Sequence, residues 1–356
     1  MSRMRARTSP IALLLAGLLV SGCGATQEST PEETPTVTAP NEQSPSAPTS
    51  APAEGEGFSN PVYPYNFPDP QIIADEAGGY LAIATNGNGY NVQTLHSEDM
   101  VNWSEVDDAL PTLASWSFPG KVWAPEIVRW SDGTYRLYYT TRSPDPEWQC
   151  ISVAVSDTLA GPYTDSSTEP LVCELDEGGS IDQSPFIASD GTAWLYWKND
   201  GNAKGVDTWI RVQQLTDDGL GVTGEVTDLM QQDLPWEGDI VEGAVVVEVD
   251  GTFHMFYSGN GYWTDRYAVG HATAASPAGP FTKSGEPILV TNEVAAGPGH
   301  NHMIEVDGQW WMVYHAWEPG FIGNDAIGRQ MWLSAVEFDG DSVTVQEPML
   351  ANPLHP

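Results

Sequence analysis

The sequence has few basic residues, few cysteines and little helical periodicity. It holds 13 Lys and Arg against 49 Asp and Glu, which gives a formal net charge of −36 at pH 7. Phosphate backbones are repelled by such a surface, so the composition argues against a nucleic-acid partner. An anionic polysaccharide would be repelled too, and a neutral ligand is favoured. The same acidity also favours solubility.

The N-terminus resembles a bacterial lipoprotein signal. Arg3, Arg5 and Arg7 precede an apolar run at 11–20, and small residues lead to Cys23 in "VSGC". The run is too short to span a membrane. We predict that residues 1–22 are a signal peptide and that Cys23 is lipidated, which would anchor the exported chain to the outer face of the cell membrane. The alternative is ordinary signal cleavage nearby.

The segment that follows the signal has the composition of a tether. Residues 24–57 contain no aromatic residue, no Lys and no Arg, and a proline recurs every few positions. Such a stretch cannot bury a core, so we predict a disordered and extended tether over residues 23–57. In an exported chain the two remaining cysteines, Cys150 and Cys173, are expected to form one disulfide. The alternative is two separate thiols.

A strand-rich unit recurs through residues 58–356. Its mark is Asp-Gly followed by an aromatic strand, as in "DGTYRLYY", "DGTAWLYW", "DGTFHMFY" and "DGQWWMVY", with a weaker first copy, "GGYLAIAT". The turn glycines Gly79, Gly133, Gly191, Gly251 and Gly308 lie 54, 58, 60 and 57 residues apart. Five such units predict an all-β fold, a five-bladed β-propeller. A β-sandwich or two stacked β-domains would not explain the period.

Polar residues recur at one end of the first strand of these units. Asp69, Asp182, Glu242 and His300 lie 10, 9, 9 and 8 residues before their turn glycines, and Ala124 holds that place in the second unit. The first strand of a propeller blade usually lines the central channel. We therefore expect these side chains to meet at one mouth of the channel.

Two carboxylates that face each other across a neutral sugar are the minimum for hydrolysis of a glycosidic bond. Glu242 heads an apolar strand, where burial and a neighbouring anion would raise its pKa, so we predict that it is the general acid. Asp69 is the predicted base, and Asp182 is predicted to position the acid and tune its pKa. His300 would bind an ion or hold water. A single acid at a strand end is more often a cap or a solvated group, and only the recurrence favours catalysis.

Eleven motifs give the chain a resemblance to a known family, among them "PDPQII", "VWAPEIV", "GGSIDQSPF", "VEGAVVV", "GPGHNHM" and "GRQMW". The chain resembles glycoside hydrolase family 43 over about residues 60–345. Members of that family are five-bladed propellers and include α-L-arabinofuranosidases, arabinanases and β-xylosidases. The resemblance implies hydrolysis with inversion of the anomeric configuration.

The resemblance also implies roles for individual residues. It makes Asp69 the base, Asp182 the modulator of the acid's pKa and Glu242 the general acid. His300 matches a histidine that in many members faces a bound calcium ion or a water-filled pocket, so a structural calcium near His300 is a possible cofactor. The substrate-binding candidates are the tryptophan of "WAP", the arginine of "GRQMW" and a phenylalanine before the base, which are Trp123, Arg329 and Phe67.

Two departures from the family pattern leave questions open. Gln183 follows Asp182 where the family usually has proline. A second histidine, His302, follows His300 by two residues, and strand alternation would put both rings on one side. A two-histidine ion site is therefore an alternative to a simple hydrogen-bonding role.

The motifs favour an arabinose-containing plant glycan as substrate, with β-xylosidase activity as the alternative. Many β-xylosidases of the family carry a C-terminal β-sandwich that closes the pocket, and this sequence ends at Pro356 without one. A different class of protein, a non-catalytic sugar-binding lipoprotein, would be marked by a broken set of acids. A monomer is expected, because a tethered domain needs no partner.

Overall fold

The computed structural model describes residues 57–144 and 147–356. The predicted signal peptide at 1–22, Cys23 and all but the last residue of the predicted tether lie outside these ranges. Within them, no helix has the length and apolar character needed to cross a membrane.

Five antiparallel sheets follow one another along the described chain, after a short first strand, β1 (Phe58–Ser59). Blade one contains β2 (Gln71–Ala74), β3 (Tyr80–Ala84), β4 (Gln93–Ser97) and β5 (Ser104–Glu105). Blade two contains β6 (Phe118–Arg129), β7 (Tyr135–Arg142) and β8 (Gln149–Ser156). Blade three contains β9 (Ser180–Ile187), β10 (Ala193–Asn199), β11 (Trp209–Leu215) and β12 (Val222–Gln231).

Two more blades and a closing strand complete the described chain. Blade four contains β13 (Val241–Val249), β14 (Thr252–Gly259), β15 (Ala268–Ala274) and β16 (Thr282–Lys283). Blade five contains β17 (Ala296–Val306), β18 (Gln309–Trp317), β19 (Gln330–Asp339) and β20 (Ser342–Val345), and β21 (Ala351–Asn352) follows. Helical structure in the described ranges is limited to α1 (Gly201–Lys204) and two 3-10 turns, Leu175–Glu177 and Pro235–Glu237.

The first strands of the blades form a ring. Strand β2 contacts β6, β6 contacts β9, β9 contacts β13, β13 contacts β17, and β17 returns to β2. The predicted five-bladed propeller is therefore confirmed.

The aromatic strands are explained by how the blades pack. Five buried apolar clusters lie one at each interface between neighbouring blades. In β7, Leu137 and Tyr139 pack against blade one, whereas Tyr138 packs against blade three. Alternate residues of a strand point to opposite faces, so a second strand that is covered on both sides must be apolar throughout.

The ring is closed by residues from both ends of the propeller. Strand β1 pairs antiparallel with β21. Nδ2 of Asn60 donates to the carbonyl of Leu333 at 2.8 Å, and Oδ1 of Asn60 accepts from the Leu333 amide at 3.0 Å. The first segment of the domain is thereby fixed to blade five. A disulfide between Cys150 and Cys173 joins β8 to the segment before blade three.

Candidate active site

The inner strands share one backbone irregularity at the end where the predicted site lies. In β6, β9, β13 and β17, two residues face a single residue of the next strand, which is a β-bulge. The first residue of each bulge is in the left-handed region, and so is Asp69, two residues before β2. The φ angles of Asp69, Ala124, Asp182, Gly243 and His300 are 57°, 42°, 56°, 58° and 46°. Asp and His are among the residues that tolerate this conformation best.

Blade four departs from this pattern by one residue. Its left-handed residue is Gly243, and the preceding Glu242 is paired with Ser258. Counting back from the turn glycine had made Glu242 the equivalent of Asp182, and that alignment is wrong. The hairpins differ in length: residues 250 and 251 alone connect β13 to β14, whereas residues 188–192 connect β9 to β10. A Cβ atom at Gly243 would lie 3.2 Å from Nδ1 of His300, so glycine leaves room for that ring.

A second set of residues binds these bulges from the neighbouring blade. Each is on the second strand or directly after it, seven residues past the turn glycine, or six in blade one. Four of them accept the backbone N–H of the left-handed residue in the next blade: Thr85 from Ala124 (2.8 Å), Thr140 from Asp182 (3.3 Å), Ser258 from His300 (2.8 Å) and His315 from Asp69 (3.2 Å). The fifth position is Lys198, which has no acceptor atom.

The bulges bring the predicted residues together at one cavity. A cavity of about 450 Å³ is lined by Asp69, Asp182, Glu242, His300, Trp123 and Arg329. A larger cavity of about 760 Å³ opens among the later parts of the inner strands. None of the three predicted acids lines it and its walls are mainly aliphatic, so we assign the chemistry to the smaller cavity.

Asp69 is held in its ionised form. Arg329 Nη1 donates to Asp69 Oδ1 at 2.7 Å, and Thr85 Oγ1 donates to Asp69 Oδ2 at 2.5 Å. Burial alone would raise the pKa of Asp69, but the charges of Arg329 and His300 and the contact with His315 hold that pKa well below its usual range. A buried carboxylate that stays ionised is suited to accept a proton.

Glu242 is also paired with a cation. Lys198 Nζ donates to Glu242 Oε2 at 2.9 Å, and the Tyr267 hydroxyl donates to Oε1 at 2.8 Å. Burial would raise the pKa of Glu242, but Lys198, His300 and the Tyr267 hydroxyl together outweigh burial and place that pKa below its ordinary value. The expectation of a raised pKa in the free protein is therefore wrong for Glu242, because the sequence did not show that a lysine would lie beside it.

Asp182 has the raised pKa instead. Burial raises it to about 7; the charges of Glu242 and Asp69 act in the same direction, while His300 and Lys198 oppose them. Because Asp182 and Glu242 interact, their titration belongs to the pair and not to either residue alone. The pair can hold one proton at mildly acidic pH.

The two histidines of "GHNH" lie in different surroundings. His300 Nδ1 is 3.5 Å from Asp69 Oδ1, whereas His302 Nε2 is 3.1 Å from the side-chain amide nitrogen of Gln71 and 3.9 Å from Glu126. The bulge at His300 breaks strand alternation, so the two rings do not form the joint ion site that alternation suggested. Burial lowers the pKa of His302 to about 4.

The described ranges contain no group of three or more His, Cys, Asp or Glu side chains arranged to hold a metal ion. Calcium prefers six to eight oxygen ligands. Carboxylates near His300 are few, and the nearest one, Asp69, already binds Arg329. The side chains of this site alone do not supply enough oxygen ligands for calcium. A calcium ion near His300 stays a prediction.

The predicted substrate-binding residues divide into two groups. Trp123 and Arg329 line the cavity, and the guanidinium of Arg329 also lies 4.4 Å from the ring centroid of Tyr262. Phe67 does not line it. This side chain is 1% exposed and packs edge-on against Tyr63 in the cluster between blades one and five. Its proposed contact with substrate is therefore corrected to a packing role.

Several residues of the site were not identified from the sequence. Thr85, Lys198, Tyr267 and His315 contact the predicted acids directly. Three of them hold the same place relative to the turn glycine, so the period of the repeat was a signal that could have located them. Tyr267 has no such periodic mark.

Known proteins resemble this chain over most of its length. The model of the family "Glycosyl hydrolases family 43" matches residues 58–343. A β-D-galactofuranosidase of Aspergillus niger, named xynD, is 30% identical over 274 residues, which cover 72% of this chain and 75% of that protein. A xylosidase/arabinosidase 43A of Humicola insolens is 26% identical over 323 residues, covering 80% of this chain and 92% of that protein.

A solved structure of a thermostable family-43 glycoside hydrolase superimposes with a TM-score of 0.75 at 28% identity, and the match covers 84% of this chain and 99% of that one. The chain therefore belongs to glycosyl hydrolases family 43, and it is a glycoside hydrolase. The resemblance read from its motifs is confirmed.

Proposed function

We propose that this glycoside hydrolase cleaves arabinofuranosyl linkages in neutral plant glycans with inversion of configuration. The observation that carries the proposal is one cavity lined by three buried carboxyl groups from blades one, three and four. One of the three, Asp69, is kept ionised, and the other two share a proton.

The residues divide the work as follows. Asp69 accepts a proton from a water molecule that attacks the anomeric carbon, and Glu242 gives a proton to the leaving oxygen. Asp182 shares a proton with Glu242 in the free protein and sets the charge that Glu242 experiences. Inversion requires about 6.5–9.5 Å between base and acid, so that water fits beside the sugar.

The relatives support a furanoside as the first substrate to test. One relative is named a galactofuranosidase and another a xylosidase/arabinosidase. The rings of α-L-arabinofuranose and β-D-galactofuranose have the same configuration and differ only in the exocyclic carbons. A cavity that binds one ring therefore presents the right groups to the other. The β-D-xylopyranoside is the second candidate, favoured by the name of the second relative.

The leaving-group side of the cavity continues into a second one. A cavity of about 440 Å³ shares Asn202 and Trp263 with the catalytic cavity and includes Ile240, two residues before Glu242. Trp263 is 53% exposed beside Tyr262, and an exposed ring of this kind offers a face to a sugar. We propose that further sugar units of the leaving chain lie there.

The test is hydrolysis by the chain from residue 58, which keeps β1 and therefore the closure of the ring. Four substrates discriminate the proposals: aryl α-L-arabinofuranoside, aryl β-D-galactofuranoside, aryl β-D-xylopyranoside and linear arabinan. Proton NMR of the first-formed anomer reports inversion. Faster turnover of the xyloside than of both furanosides would overturn the substrate, and a retained anomer would overturn the mechanism. Saturable sugar binding without turnover would favour the non-catalytic alternative.

We further propose export, lipidation at Cys23 and a monomeric state. The support is the sequence of residues 1–57 alone. Labelling of cells with a fatty acid should mark the wild-type chain and not Cys23→Ala, which should remain unprocessed. Membrane retention of that variant with normal processing would contradict the anchor. Sedimentation of the chain from residue 58 tests the monomer, and removal of calcium by a chelator tests the predicted ion near His300.

A further inference from the structure

A lysine is buried inside the catalytic cluster. Lys198 on β10 is 1% exposed, and among the described residues the only hydrogen-bond partner of its Nζ is Oε2 of Glu242, at 2.9 Å. A lysine is almost never fully buried unless it is paired, because its desolvation is costly. The contact is therefore one that the fold must maintain.

The repeat shows that propeller architecture does not require this lysine. The equivalent residues of the other four blades are Thr85, Thr140, Ser258 and His315, and each accepts a backbone N–H from the bulge of the next blade. Lys198 has only donors and cannot do this. Its Nζ donates to the side chain of Glu242 instead. The exception falls in the blade that precedes the predicted acid.

Lys198 and Glu242 are surrounded by other charged and titratable groups. On the blade-three side these are Asp182 and Asp200, and on the blade-four side Tyr267; His300 of blade five and Asp69 of blade one complete the set. Two cations thus serve two carboxylates across the cavity: Arg329 binds Asp69, and Lys198 binds Glu242.

We infer that Lys198 is a positioning residue for proton donation, which holds Glu242 in place with Tyr267 and stabilises the carboxylate that donation leaves behind. The inference rests on the proposed acid role of Glu242. The O–H bond of Glu242 breaks as its proton bonds to the glycosidic oxygen, the bond from that oxygen to the anomeric carbon breaks as water adds and gives its proton to Asp69, and the negative charge remains on Glu242 beside the ammonium group. Lys198 makes Glu242 a stronger acid, and the protonated form is correspondingly confined to lower pH.

The test is the pH profile of kcat/KM for Lys198→Met, which keeps a long unbranched chain but carries no charge. The basic limb reports loss of the proton that the Asp182–Glu242 pair holds. Without the ammonium group the Glu242 carboxylate is less stable, so the limb should move upward by about one pH unit or more. Lys198→Arg retains the charge and should keep the limb near that of the wild type. Lys204→Met, at an exposed lysine, controls for the change in net charge.

An unmoved basic limb in a folded Lys198→Met protein would overturn the inference, and so would an equal upward shift in Lys198→Arg. If the methionine variant does not fold, carbon-13 NMR of the wild-type Glu242 carboxyl, assigned with Glu242→Gln, decides the matter. Titration below the ordinary range of glutamate supports the pairing, and titration at or above that range contradicts it.

The NMR titration also separates this inference from the proposed function. A protein that hydrolyses none of the four substrates contradicts the proposed reaction, whereas the carboxyl titration still shows whether Lys198 controls Glu242. An active protein with an unmoved limb contradicts the role of Lys198 alone.

Discussion

At the scale of single residues, the site depends on the cation that each carboxylate receives. Asp69 and Glu242 are both 8–9% exposed, yet the pKa of each lies below its ordinary value, because Arg329 and Lys198 lie beside them. No cation within residues 57–144 or 147–356 is hydrogen-bonded to the Asp182 carboxyl, and burial raises its pKa. The three carboxyl groups are therefore buried to a similar extent, yet their pKa values are shifted in different directions.

Leaving-group dependence distinguishes the acid from the base. Glu242→Gln should lower kcat on linear arabinan by about 10²–10⁴-fold and lower it less on aryl glycosides, since a good leaving group needs little protonation. Asp69→Asn should lose activity on both, because the attacking water loses its base. Steady-state kinetics on both substrates provide the measurement, with the exposed Glu225→Gln as control. Equal losses in Glu242→Gln would remove it as the acid.

Arg329 should set the acidic limb of the pH profile. The folded-state pKa of Asp69 is depressed, so the ionised base persists as pH falls and activity is lost only below the usual range of aspartate. Arg329→Met removes the cation, raises that pKa and should move the acidic limb of kcat/KM to higher pH. Arg129→Met, at an exposed arginine paired with Glu76, is the matched control. An equal shift of the acidic limb in both variants would show that the change in net charge alone causes it.

At the scale of secondary structure, the bulge is the element that builds the site. A regular inner strand would place successive side chains on alternate faces, and the left-handed residue interrupts that order. In blades one, two and four, a Thr or Ser near the end of the second strand binds the bulge of the next blade, and His315 of blade five binds Asp69 in the same way. Lys198 of blade three binds the Glu242 side chain instead. These contacts explain why polar residues end otherwise apolar aromatic strands.

A substitution at Gly243 distinguishes the effect of backbone strain from the effect of a contact within the cavity. Gly243→Ala should lower stability by about 1–2 kcal/mol, because φ is positive there, and should also lower kcat, because the new Cβ meets His300. Gly251→Ala is the matched control, with positive φ but no atom within 4 Å of its Cβ. It should lose stability and keep activity. Denaturant unfolding and kcat measure the two effects, and equal kcat in both variants would contradict the contact.

Trp263 tests the leaving-group cavity. Trp263→Ala should lower kcat/KM on arabino-oligosaccharides by about 2- to 12-fold, which is the loss expected for one aromatic contact. The kcat/KM for a methyl monosaccharide glycoside should stay unchanged. The comparison of chain lengths within one variant controls for folding. A uniform loss across all lengths would place Trp263 at the reacting sugar instead.

At the scale of the whole molecule, closure of the ring holds the site together. Asp69 lies on blade one while its partners Arg329 and His315 lie on or beside strands of blade five. These contacts exist only if the first segment of the domain is fixed to blade five, as β1, β21 and Asn60 fix it. Stability of the closure and activity are therefore coupled.

Asn60→Ala tests the closure. It leaves the buried N–H and C=O of Leu333 without their partners, so the free energy of unfolding should fall by about 2–4 kcal/mol. Thr223→Ala, at an exposed position on β12, should change it by less than about 0.5 kcal/mol. Urea unfolding provides both values. A loss in Asn60→Ala as small as in the control would show that the ring closes without this side chain.

The sequence by itself determined the architecture and six of the residues that line the catalytic cavity. The repeated Asp-Gly turns and doubly apolar strands define five blades, because only an element covered on both sides can be apolar throughout. Recurrence at one end of each first strand located Asp69, Asp182 and His300, since equal blades around an axis bring equivalent positions together. The motifs identified the family.

Only the tertiary structure decided which charges meet. Lys198, Tyr267 and His315 reach the acids from other strands, and their distances depend on how neighbouring blades pack. The pKa of Glu242 was predicted in the wrong direction because burial is visible in a sequence pattern, whereas an ammonium group at 2.9 Å is not. The offset of Glu242 from Asp182 arises from turn length, and Phe67 packs inward against Tyr63 between two blades. Such features are set by backbone geometry, and counting residues does not reveal them.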